Sequence, residues 1–519
     1  SISSNFICER LYRSIKMRTG RYRYRRKKEK MAELAHKGKR GSLIIMMNGE
    51  IITKKLIKDK TFIGRITNSP DIDIQLDSPV LSKAHGVIFR ENGKYYYGDN
   101  NSTNGSIVDG QYIKNGVAPL NESSVIEIKS HNENFGVLIL FSMFDYSRQK
   151  WQSRNLYDGS SDPIYIGRMV GQNDISIPSV QISRQHGVFT RNGNDWIYQD
   201  LNSKNGTFIN RKLVVKPTIL RENDIIQIVN VKLIFARGML IYNLPNAGCE
   251  LKIDNISKMV KCPKTDPSYK KSPNHKKCIL DRVNVTIEPS EFVAVLGGSG
   301  AGKTTFLNCI NGYEEATSGA VYMDGINLYE HKDSLKKQIG YVPQEDLLRN
   351  GISVRQTLRY IAKMRLPKDV DKKEREKRID HTFDMLGLDA KCQASDVKKV
   401  SGGQRKRVSI ASELVSDPPI LFLDEPTSGL DPETETNLIK SLQELAHTHE
   451  KTVIVITHTL KNIDLFDKVL FFAPGGKLCF AGPPEEAYEL FKVSDMTDVY
   501  KIVREYTDEF DAYYRQTNN

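Results

Sequence analysis

The sequence predicts two all-β sandwiches in tandem, followed by one α/β domain with a mainly parallel sheet. Two observations support this architecture: a motif set that occurs twice among short strand-like runs, and strand–helix alternation after about residue 248. The length of 519 residues fits three domains at roughly 100–200 residues each. The expected segments are a basic tail at 1–41, sandwiches at 42–147 and 148–243, the α/β domain at 244–492 and a spacer at 493–519.

The composition is that of a globular protein, with 39% hydrophobic and 27% charged residues. No run approaches about 18 consecutive apolar residues, so the sequence predicts no membrane-spanning helix. No charged-then-apolar secretory signal opens the chain. The seven cysteines show no CxxC spacing, which argues against a zinc site or a disulfide framework and favours a reducing compartment.

The formal net charge of +13 is concentrated at one end of the chain. Residues 1–41 carry 14 Lys/Arg and 3 Asp/Glu, whereas the rest of the chain is nearly neutral. We therefore expect no nucleic-acid surface within the folded domains. The tail could bind anionic lipid headgroups or nucleic acid, but we favour a solvated tail with no partner.

The internal repeat consists of three short motifs with matching spacing. They are Ile63–Arg65, Ser82–Val87 and Ser102–Gly105 in the first copy, and Ile166–Arg168, Ser183–Val188 and Ser203–Gly206 in the second. The step from Ser82 to Asn104 is 22 positions, as is the step from Ser183 to Asn205. Hairpin turns are expected at Asn92-Gly93 and Asn192-Gly193. The pattern predicts a duplicated sandwich domain.

These motifs resemble the forkhead-associated (FHA) domain, a sandwich that binds phosphothreonine. An arginine offers a bidentate fork to phosphate oxygens, and a serine hydroxyl adds a donor. The resemblance implies binding residues Arg65, Ser82, Lys83, Thr103 and Asn104 in the first copy, and Arg168, Ser183, Arg184, Lys204 and Asn205 in the second. It also implies that His85 and His186 brace the binding loops, and that phosphothreonine proteins, and hence a Ser/Thr kinase, are partners. The alternative is that one copy has become a spacer.

In the α/β region, Gly297–Thr304 fits the P-loop pattern between an apolar strand and a helix. Glycines let backbone N–H groups close around phosphates, and the helix N-terminus adds positive potential. The pattern assigns Lys303 to the β- and γ-phosphates and the Thr304 hydroxyl to Mg²⁺. A second apolar strand, Ile420–Leu423, ends at Asp424 and Glu425, where ligands sit in parallel sheets. We expect helices at Thr304–Ile310, Val354–Met364, Lys372–Leu386, Gln404–Val415 and Pro432–Ala446.

Further motifs resemble those of ATP-binding-cassette (ABC) ATPases, which are P-loop NTPases. Val400–Arg407 is similar to the LSGGQ signature, Gln344 matches the Q-loop, Ser428–Asp431 matches the D-loop and His458 matches the switch histidine. The signature region looks most like the G-type exporters. One departure concerns the aromatic residue that stacks on adenine, because Met259 and Val260 stand in its place. Tyr269 could substitute for it.

The ABC resemblance implies ATP and Mg²⁺ as cofactors. It assigns catalysis to Glu425 as general base with His458, Gln344 and Asp431, and metal binding to Thr304, Gln344 and Asp424. The nucleotide would contact Gly297, Gly298, Ser299, Gly300, Ala301, Gly302, Lys303, Thr304, Thr305, Ser401, Gly402, Gly403 and Gln404. One chain carries one P-loop and one signature, so the resemblance implies a homodimer that closes around two ATP molecules.

We therefore expect the ATP-hydrolysing subunit of an ABC-type exporter, regulated or docked through phosphothreonine recognition. The resemblance places it in the cytoplasm at the inner face of the cell membrane, with a permease domain on another chain or beyond the C-terminal end. Two alternatives stay open. One is an ABC ATPase without a transport role, and the other is a phosphothreonine scaffold whose ATPase is vestigial.

Overall fold

The computed structural model describes residues 41–47, 50–67, 71–91, 94–121, 124–130, 136–142, 151–157, 163–236, 238–243, 248–262, 275–493 and 495–518. The basic tail up to residue 40, the turn at Asn92-Gly93 and the adenine candidate Tyr269 lie outside these residues. The chain forms two compact units. The first comprises Ser1–Asp158, Arg221–Ile225 and Leu233–Leu244, and the second comprises Gly159–Leu220, Ile226–Lys232 and Pro245–Asn519.

The first repeat is a β-sandwich. Its strands are β1 (Ser42–Met47), β2 (Glu50–Lys55), β3 (Lys60–Arg65), β4 (Ile74–Leu76), β5 (Gly86–Glu91), β6 (Lys94–Asp99), β7 (Ser106–Val108), β8 (Gln111–Ile113), β9 (Val117–Leu120), β10 (Val125–Lys129) and β11 (Gly136–Ser142). The two sheets have the orders β2-β1-β11-β10-β7-β8 and β4-β3-β5-β6-β9. Their inner faces share one core, in which Tyr97 and Phe141 are fully buried. The predicted all-β sandwich is confirmed.

The second repeat follows the same plan. Its strands are β12 (Trp151–Asn155), β13 (Ile164–Gly167), β14 (Ile175–Ser176), β15 (Gly187–Asn192), β16 (Asp195–Asp200), β17 (Phe208–Ile209), β18 (Lys212–Leu213), β19 (Thr218–Ile219), β20 (Asp224–Ile228), β21 (Val231–Ala236) and β22 (Met239–Asn243). One sheet has the order β14-β13-β15-β16-β19, which reproduces β4-β3-β5-β6-β9 of the first repeat. Ile63 pairs with Gly86 and Ile166 pairs with Gly187, so the register is also repeated.

The glycine before each repeat arginine is required by a close approach of the backbone. A Cβ on Gly64 would lie 2.0 Å from the carbonyl oxygen of Lys83, and one on Gly167 would lie 2.1 Å from that of Arg184. These distances are far below van der Waals contact, so only glycine lets the serine loop lie against the strand. The Gly-Arg motif thus sets the arginine beside its loop.

The α/β domain contains two sheets. Its strands are β23 (Leu251–Lys261), β24 (Lys276–Ile287), β25 (Phe292–Gly297), β26 (Ser318–Met323), β27 (Ile326–Asn327), β28 (Ile339–Val342), β29 (Ile420–Asp424), β30 (Thr452–Ile456), β31 (Lys468–Ala473) and β32 (Lys477–Gly482). An antiparallel sheet has the order β24-β23-β26-β27, and a mainly parallel sheet has the order β28-β29-β30-β25-β31-β32. Strands β25, β29 and β30 are buried along their whole length, as parallel strands covered on both faces are.

The helices of this domain surround the parallel sheet. They are α1 (Lys303–Ile310), α2 (Lys332–Leu335), α3 (Val354–Arg365), α4 (Lys372–Met385), α5 (Ala390–Ala394), α6 (Gly402–Leu414), α7 (Pro432–His447), α8 (Pro484–Phe491), α9 (Thr497–Glu505) and α10 (Thr507–Asn518). Helices α3 to α6 lie in the chain between β28 and β29. Within the described ranges, none of the helices combines the length and apolar character that a membrane crossing requires.

The segment predicted as a C-terminal spacer forms the packed helices α9 and α10. Val499, Val503 and Phe510 are buried, and the rings of Phe491 and Phe510 lie 4.9 Å apart. The Tyr514 hydroxyl donates a hydrogen bond of 2.8 Å to the carbonyl of Asn284 on β24. This segment is therefore part of the α/β domain's packing.

Replacing Tyr514 by alanine should release helix α10 from β24. The change removes a buried ring and its hydrogen bond, which we expect to cost about 3 kcal/mol of unfolding free energy. Hydrogen exchange should show faster exchange across α10 in Tyr514→Ala and unchanged exchange in Glu509→Ala, a substitution at an exposed position of the same helix. Equal protection of α10 in both variants would show that Tyr514 does not hold the helix in place.

Candidate functional site

The P-loop lies between β25 and α1, as predicted. Gly302 precedes the helix with φ 89°, and Gly300 has φ 75°, values in the left-handed region that favours glycine. The Lys303 side chain turns back and donates hydrogen bonds to the carbonyls of Gly297 at 2.9 Å and Gly298 at 3.1 Å. Burial lowers the pKa of Lys303, and the negative charges of Glu425 and Asp424 at the end of β29 partly offset this effect. The loop therefore holds a buried lysine side chain beside a helix N-terminus.

Two carboxylates terminate β29 next to this loop. Asp424 is 5% exposed. Its pKa is raised, mainly by burial and to a smaller extent by the negative charge of Glu425, while a hydrogen bond with Thr304 acts in the opposite direction. Glu425 has φ 47°, a left-handed conformation that is strained for a residue with a side chain. Its N–H donates to the carbonyl of Ile456 on β30 at 3.0 Å, which secures this backbone. Such strain is typical of functional positions.

Gln344 and His458 hold the two oxygens of the Glu425 carboxylate. Gln344 Nε2 donates to Oε2 at 3.0 Å, and His458 Nε2 lies 2.6 Å from Oε1. Gln344 follows β28 and His458 follows β30, so the flanking strands deliver both groups to the end of β29. Three of the four predicted catalytic residues are thus brought together.

Asp431, the fourth predicted catalytic residue, occupies the N-cap of α7. Its Oδ1 accepts hydrogen bonds from the N–H groups of Glu433 at 3.1 Å and Thr434 at 3.0 Å. Hydrogen bonding to Thr434 and Glu433 lowers the pKa of Asp431. Asp431 is solvent-exposed, and no hydrogen bond between described residues joins it to Glu425.

The signature motif opens helix α6. Ser401 and Gln404 form a reciprocal capping box, in which Ser401 Oγ accepts from the Gln404 N–H at 3.2 Å and Gln404 Oε1 accepts from the Ser401 N–H at 3.0 Å. Ser401 and Gly402 are exposed, so this helix N-terminus faces solvent. A helix start with free amides at the surface can bind an anion.

An ion pair that the sequence motifs do not predict connects the signature helix to the Q-loop. Arg405 binds Asp346 through two hydrogen bonds, of 2.8 Å and 2.7 Å, and Lys406 donates to the carbonyl of Gln344 at 2.7 Å. Asp346 lies two residues after Gln344, and both basic residues are within the recognised signature run. The contacts link the signature helix to the residue that binds Glu425.

The residues at this site fit a nucleoside triphosphate with Mg²⁺. The Lys303 ammonium is hydrogen-bonded to carbonyls that phosphate oxygens can replace, beside glycine amides at a helix start. The Thr304 hydroxyl and the Asp424 carboxylate are hard oxygen donors in contact with each other. Among the described residues, no cluster of three or more His, Cys, Asp and Glu could hold a metal alone. Phosphate oxygens and water would have to complete the coordination of Mg²⁺, as is usual at phosphate sites.

The first phosphothreonine candidate site is open to solvent. Arg65, Lys83 and Thr103 are exposed, and the Ser82 hydroxyl both donates to Thr103 Oγ1 at 3.2 Å and accepts from its N–H at 2.9 Å. Asn104 donates to the carbonyl of Val80 at 2.8 Å. The five predicted residues lie on β3 and on the loops that follow β4 and β6.

The predicted bracing histidines join the loop before β5 to the loop after β6 in the first sandwich, and the equivalent loops in the second. His85 Nδ1 accepts from the Ser82 N–H at 3.1 Å while Nε2 lies 3.2 Å from the carbonyl of Gly105. His186 makes the same two contacts with Ser183 and Gly206, at 3.2 Å and 3.3 Å. Both rings are fully buried, and burial lowers the pKa of His186 to about 4, so the ring is neutral at pH 7.

The second phosphothreonine candidate site differs sharply from the first. Arg168 is 5% exposed and forms a two-pronged ion pair with Glu374 of α4, with Nε–Oε1 and Nη2–Oε2 distances of 2.9 Å and 3.2 Å. Asp369 lies 3.4 Å from Arg168 Nη1 and accepts from the Arg184 N–H at 2.8 Å.

The other predicted residues of this second site are engaged as well. The Ser183 hydroxyl accepts from the Lys204 N–H at 3.1 Å, and the Lys204 ammonium donates to the carbonyl of Arg365. Asn205 is buried and donates to the backbone and side-chain oxygens of Gln181 at 2.6 Å and 2.9 Å. The spatial grouping predicted from the repeat is present, but the group faces other residues of the chain.

Comparison with protein families agrees with both kinds of site. Residues 280–428 match the ABC transporter family, and residues 61–129 and 164–229 match the FHA domain family. The ABC match covers the P-loop, the signature and the β29 carboxylates. The two FHA matches cover both copies of the repeat.

Proteins similar to this chain include two that are named as ABC transporters. The ABC transporter ATP-binding/permease protein Rv1747 of Mycobacterium tuberculosis is 35% identical over 351 residues, which are 68% of this chain and 39% of that protein. ABC transporter G family member 25 of Arabidopsis thaliana is 36% identical over 49% of this chain and 38% of its own length. Protein white of Drosophila melanogaster is 36% identical over 42% of this chain and 33% of its own length. The chain thus spans well under half the length of these relatives.

The site geometry and these matches lead to the same assignment. The P-loop, the exposed signature helix, Gln344 and Glu425 occur within the region that matches the ABC transporter family, and His458 lies beyond its end. The arginine and serine loops of both sandwiches occur within the FHA matches. Residues 280–428 are therefore similar to the ABC transporter family, and two regions that match the FHA domain family precede them in the same chain.

Proposed function

We propose that this chain hydrolyses ATP to drive a membrane exporter and that its FHA domains bind phosphothreonine in partner proteins. The observation that supports hydrolysis best is the arrangement around Glu425, whose two carboxylate oxygens are held by Gln344 and His458. The carboxylate lies at the end of the strand that also delivers Asp424. A positioned carboxylate beside a phosphate-binding loop suits activation of water for attack on a phosphoryl group.

In this proposal each residue has a separate task. Lys303 and the loop amides hold the phosphates, and Thr304, Gln344 and Asp424 hold Mg²⁺, which neutralises phosphate charge when bound. Glu425 accepts the proton of the attacking water. His458 fixes one carboxylate oxygen and senses the γ-phosphate, while Gln344 links the site to a membrane partner. Asp431 sets the start of α7.

The exposed signature helix supports a homodimer with two composite sites. Its free N-terminus is built to bind an anion, and one chain supplies one such helix and one P-loop. The signature residues Ser401, Gly402, Gly403 and Gln404 would contact the γ-phosphate held by the P-loop of a second copy. This arrangement uses every nucleotide-binding motif twice.

A transport role rests on the relatives. Two of the three relatives described above are named as ABC transporters, and one of these is named as an ATP-binding/permease protein. We propose that the cassette works at the cytoplasmic face of a membrane with a permease domain, on the same polypeptide or on another one. The similarity to G family members favours export.

The phosphothreonine proposal rests on the exposed Arg65 in the first FHA domain. The guanidinium is free to offer a bidentate fork to phosphate, next to the Ser82 and Thr103 loops. Such a domain would dock the cassette onto proteins that a Ser/Thr kinase has modified.

Replacing Glu425 by glutamine should stop ATP hydrolysis while ATP still binds. The amide cannot accept a proton, so we expect phosphate release to fall at least about 100-fold. Glu444→Gln, which makes the same charge change at an exposed position of α7, should hydrolyse ATP normally. Size-exclusion chromatography with light scattering should detect an ATP-dependent dimer of the Glu425→Gln protein. Hydrolysis within threefold of the parent protein would refute the assignment of the base.

Replacing Arg65 by alanine should strongly weaken phosphothreonine binding by the first FHA domain. The measurement uses the full chain with Arg168→Ala, so that only the first domain can bind, and a fluorescent library of phosphothreonine peptides. We expect affinity to fall at least about tenfold, because a charge-assisted bidentate contact is lost. Lys94→Ala, at an exposed position of the same sandwich, should have no effect. Equal binding of phosphorylated and unphosphorylated peptides would contradict the proposal.

A further inference from the structure

We propose that the phosphate-binding site of the second FHA domain is closed by an acidic segment of the cassette in the same chain. The acidic segment comprises Asp369, Asp371 and Glu374, in the loop after α3 and the first turn of α4. A phosphothreonine ligand would then have to displace this segment. The inference rests on the proposed phosphothreonine function and identifies the acidic segment as the group that competes with a phosphothreonine ligand for Arg168.

The acidic segment reproduces the charge of a phosphate group. Asp369 and Glu374 place two carboxylates on the single guanidinium of Arg168. Two carboxylates carry about the same charge as a phosphothreonine, which is −1.5 to −2 at pH 7. The guanidinium is 5% exposed, so the acids shield it from solvent. A buried guanidinium needs such compensation, because an unpaired buried charge is strongly destabilising.

The hydrogen-bond donors at this contact are those that a phosphate would use. Glu374 takes the Nε and Nη2 edge of Arg168, the bidentate edge that matches a carboxylate or a phosphate. Asp369 accepts from the Arg184 N–H at 2.8 Å, an amide in the serine loop. The Arg184 side chain lies 3.6 Å from Asp371. A phosphate and the acidic segment therefore cannot occupy the site together.

Neighbouring contacts extend the closure beyond the phosphate position. Lys204 donates to the carbonyl of Arg365, and Lys337 donates to the carbonyl of Lys204 at 2.9 Å. Gln181, which holds Asn205, donates to the carbonyl of Ser416. Three of the five residues predicted to contact a phosphopeptide, Arg168, Arg184 and Lys204, are thus engaged by the cassette.

The first FHA domain provides an internal comparison. Arg65 occupies the same place in the repeat as Arg168, yet its side chain is exposed and forms no ion pair with any residue that the structure describes. The loops of the two domains are otherwise built alike, with equivalent histidine and serine contacts. The difference between the two sites therefore comes from the cassette residues around Arg168.

Closure has a quantitative consequence for binding. The apparent dissociation constant of a ligand equals its intrinsic dissociation constant divided by the fraction of molecules in which the site is accessible. If the acidic segment occupies Arg168 in 90–99% of molecules, the apparent dissociation constant rises about 10- to 100-fold. Removing the negative charges of Asp369 and Glu374 should therefore lower the apparent dissociation constant by the same factor.

The test measures binding at the second FHA domain in the full chain. Arg65→Ala silences the first domain, and the ligand is a fluorescent library of phosphothreonine peptides. The opened protein adds Asp369→Asn and Glu374→Gln, which keep side-chain shape but remove both charges. The matched control adds Asp384→Asn and Glu444→Gln instead, two exposed acids elsewhere in the cassette. We expect the opened protein to bind at least about tenfold more tightly than the parent and the control.

Hydrogen exchange without peptide distinguishes the possible failures. The opened protein should exchange faster than the control in the first turn of α4 and in the loop around Ser183. Faster exchange with unchanged peptide affinity would overturn the competition while phosphothreonine recognition stands. Absence of phosphopeptide binding in the opened protein would overturn the competition together with phosphothreonine recognition by the second FHA domain, whereas recognition by the first domain is tested separately through Arg65. Equal exchange and equal affinity in the opened protein and the control would show that the acidic segment does not close the site.

Discussion

A buried guanidinium must be paired, and this constraint acts on Arg168. The FHA repeat places an arginine beside a serine loop in both domains, because a glycine at the preceding position lets the backbones touch. In the first domain the arginine meets solvent. In the second domain it is 5% exposed and depends on Glu374 and Asp369, about 200 residues further along the chain. The second FHA domain and the start of α4 are therefore coupled through one charge.

That coupling leads toward the nucleotide-binding machinery. Helix α4 is tied to α3 by the pair of Arg359 and Glu376, at 2.7 Å, and Arg378 of α4 donates to the carbonyl of Leu414 at the end of α6 at 2.9 Å. The other end of α6 carries the signature motif and is linked to the Q-loop through Arg405. A contiguous set of contacts thus joins the second FHA site to the residue that binds Glu425. In this arrangement, a ligand that binds Arg168 would release the first turn of α4, the helix whose Arg378 contacts the end of α6.

The local motifs were predictable from the sequence, because each encodes its own geometry. The P-loop, the capping box of α6 and the end of β29 are set by neighbouring residues, and the predicted helices match α1, α3, α4, α6 and α7 to within about two residues at each end. The equal 22-residue spacing contains the pairs Gly86–Asp99 and Gly187–Asp200, so the repeated register of β5 with β6 and of β15 with β16 agrees with it. The structure brings three of the four catalytic candidates into contact, and their catalytic roles stay predictions.

Contacts between residues that are far apart in the sequence could not be predicted from one sequence alone. Glu374 stands in the first turn of a helix, where an acid is explained by the helix dipole, and nothing local marks it as a partner of Arg168. The strained backbone of Glu425 depends on the carbonyl of Ile456 on a neighbouring strand. The packing of α10 on β24 likewise needs the assembled sheet.

The stoichiometry of phosphothreonine binding tests the central claim most directly. Native mass spectrometry of the unaltered chain, titrated with a phosphothreonine peptide that both FHA domains accept, counts the accessible sites. If the first site is open and the second is closed, each chain should bind a single peptide at concentrations that saturate the first domain. The chain with Asp369→Asn and Glu374→Gln should bind two. Two peptides on the unaltered chain at the same concentration would contradict closure of the second site.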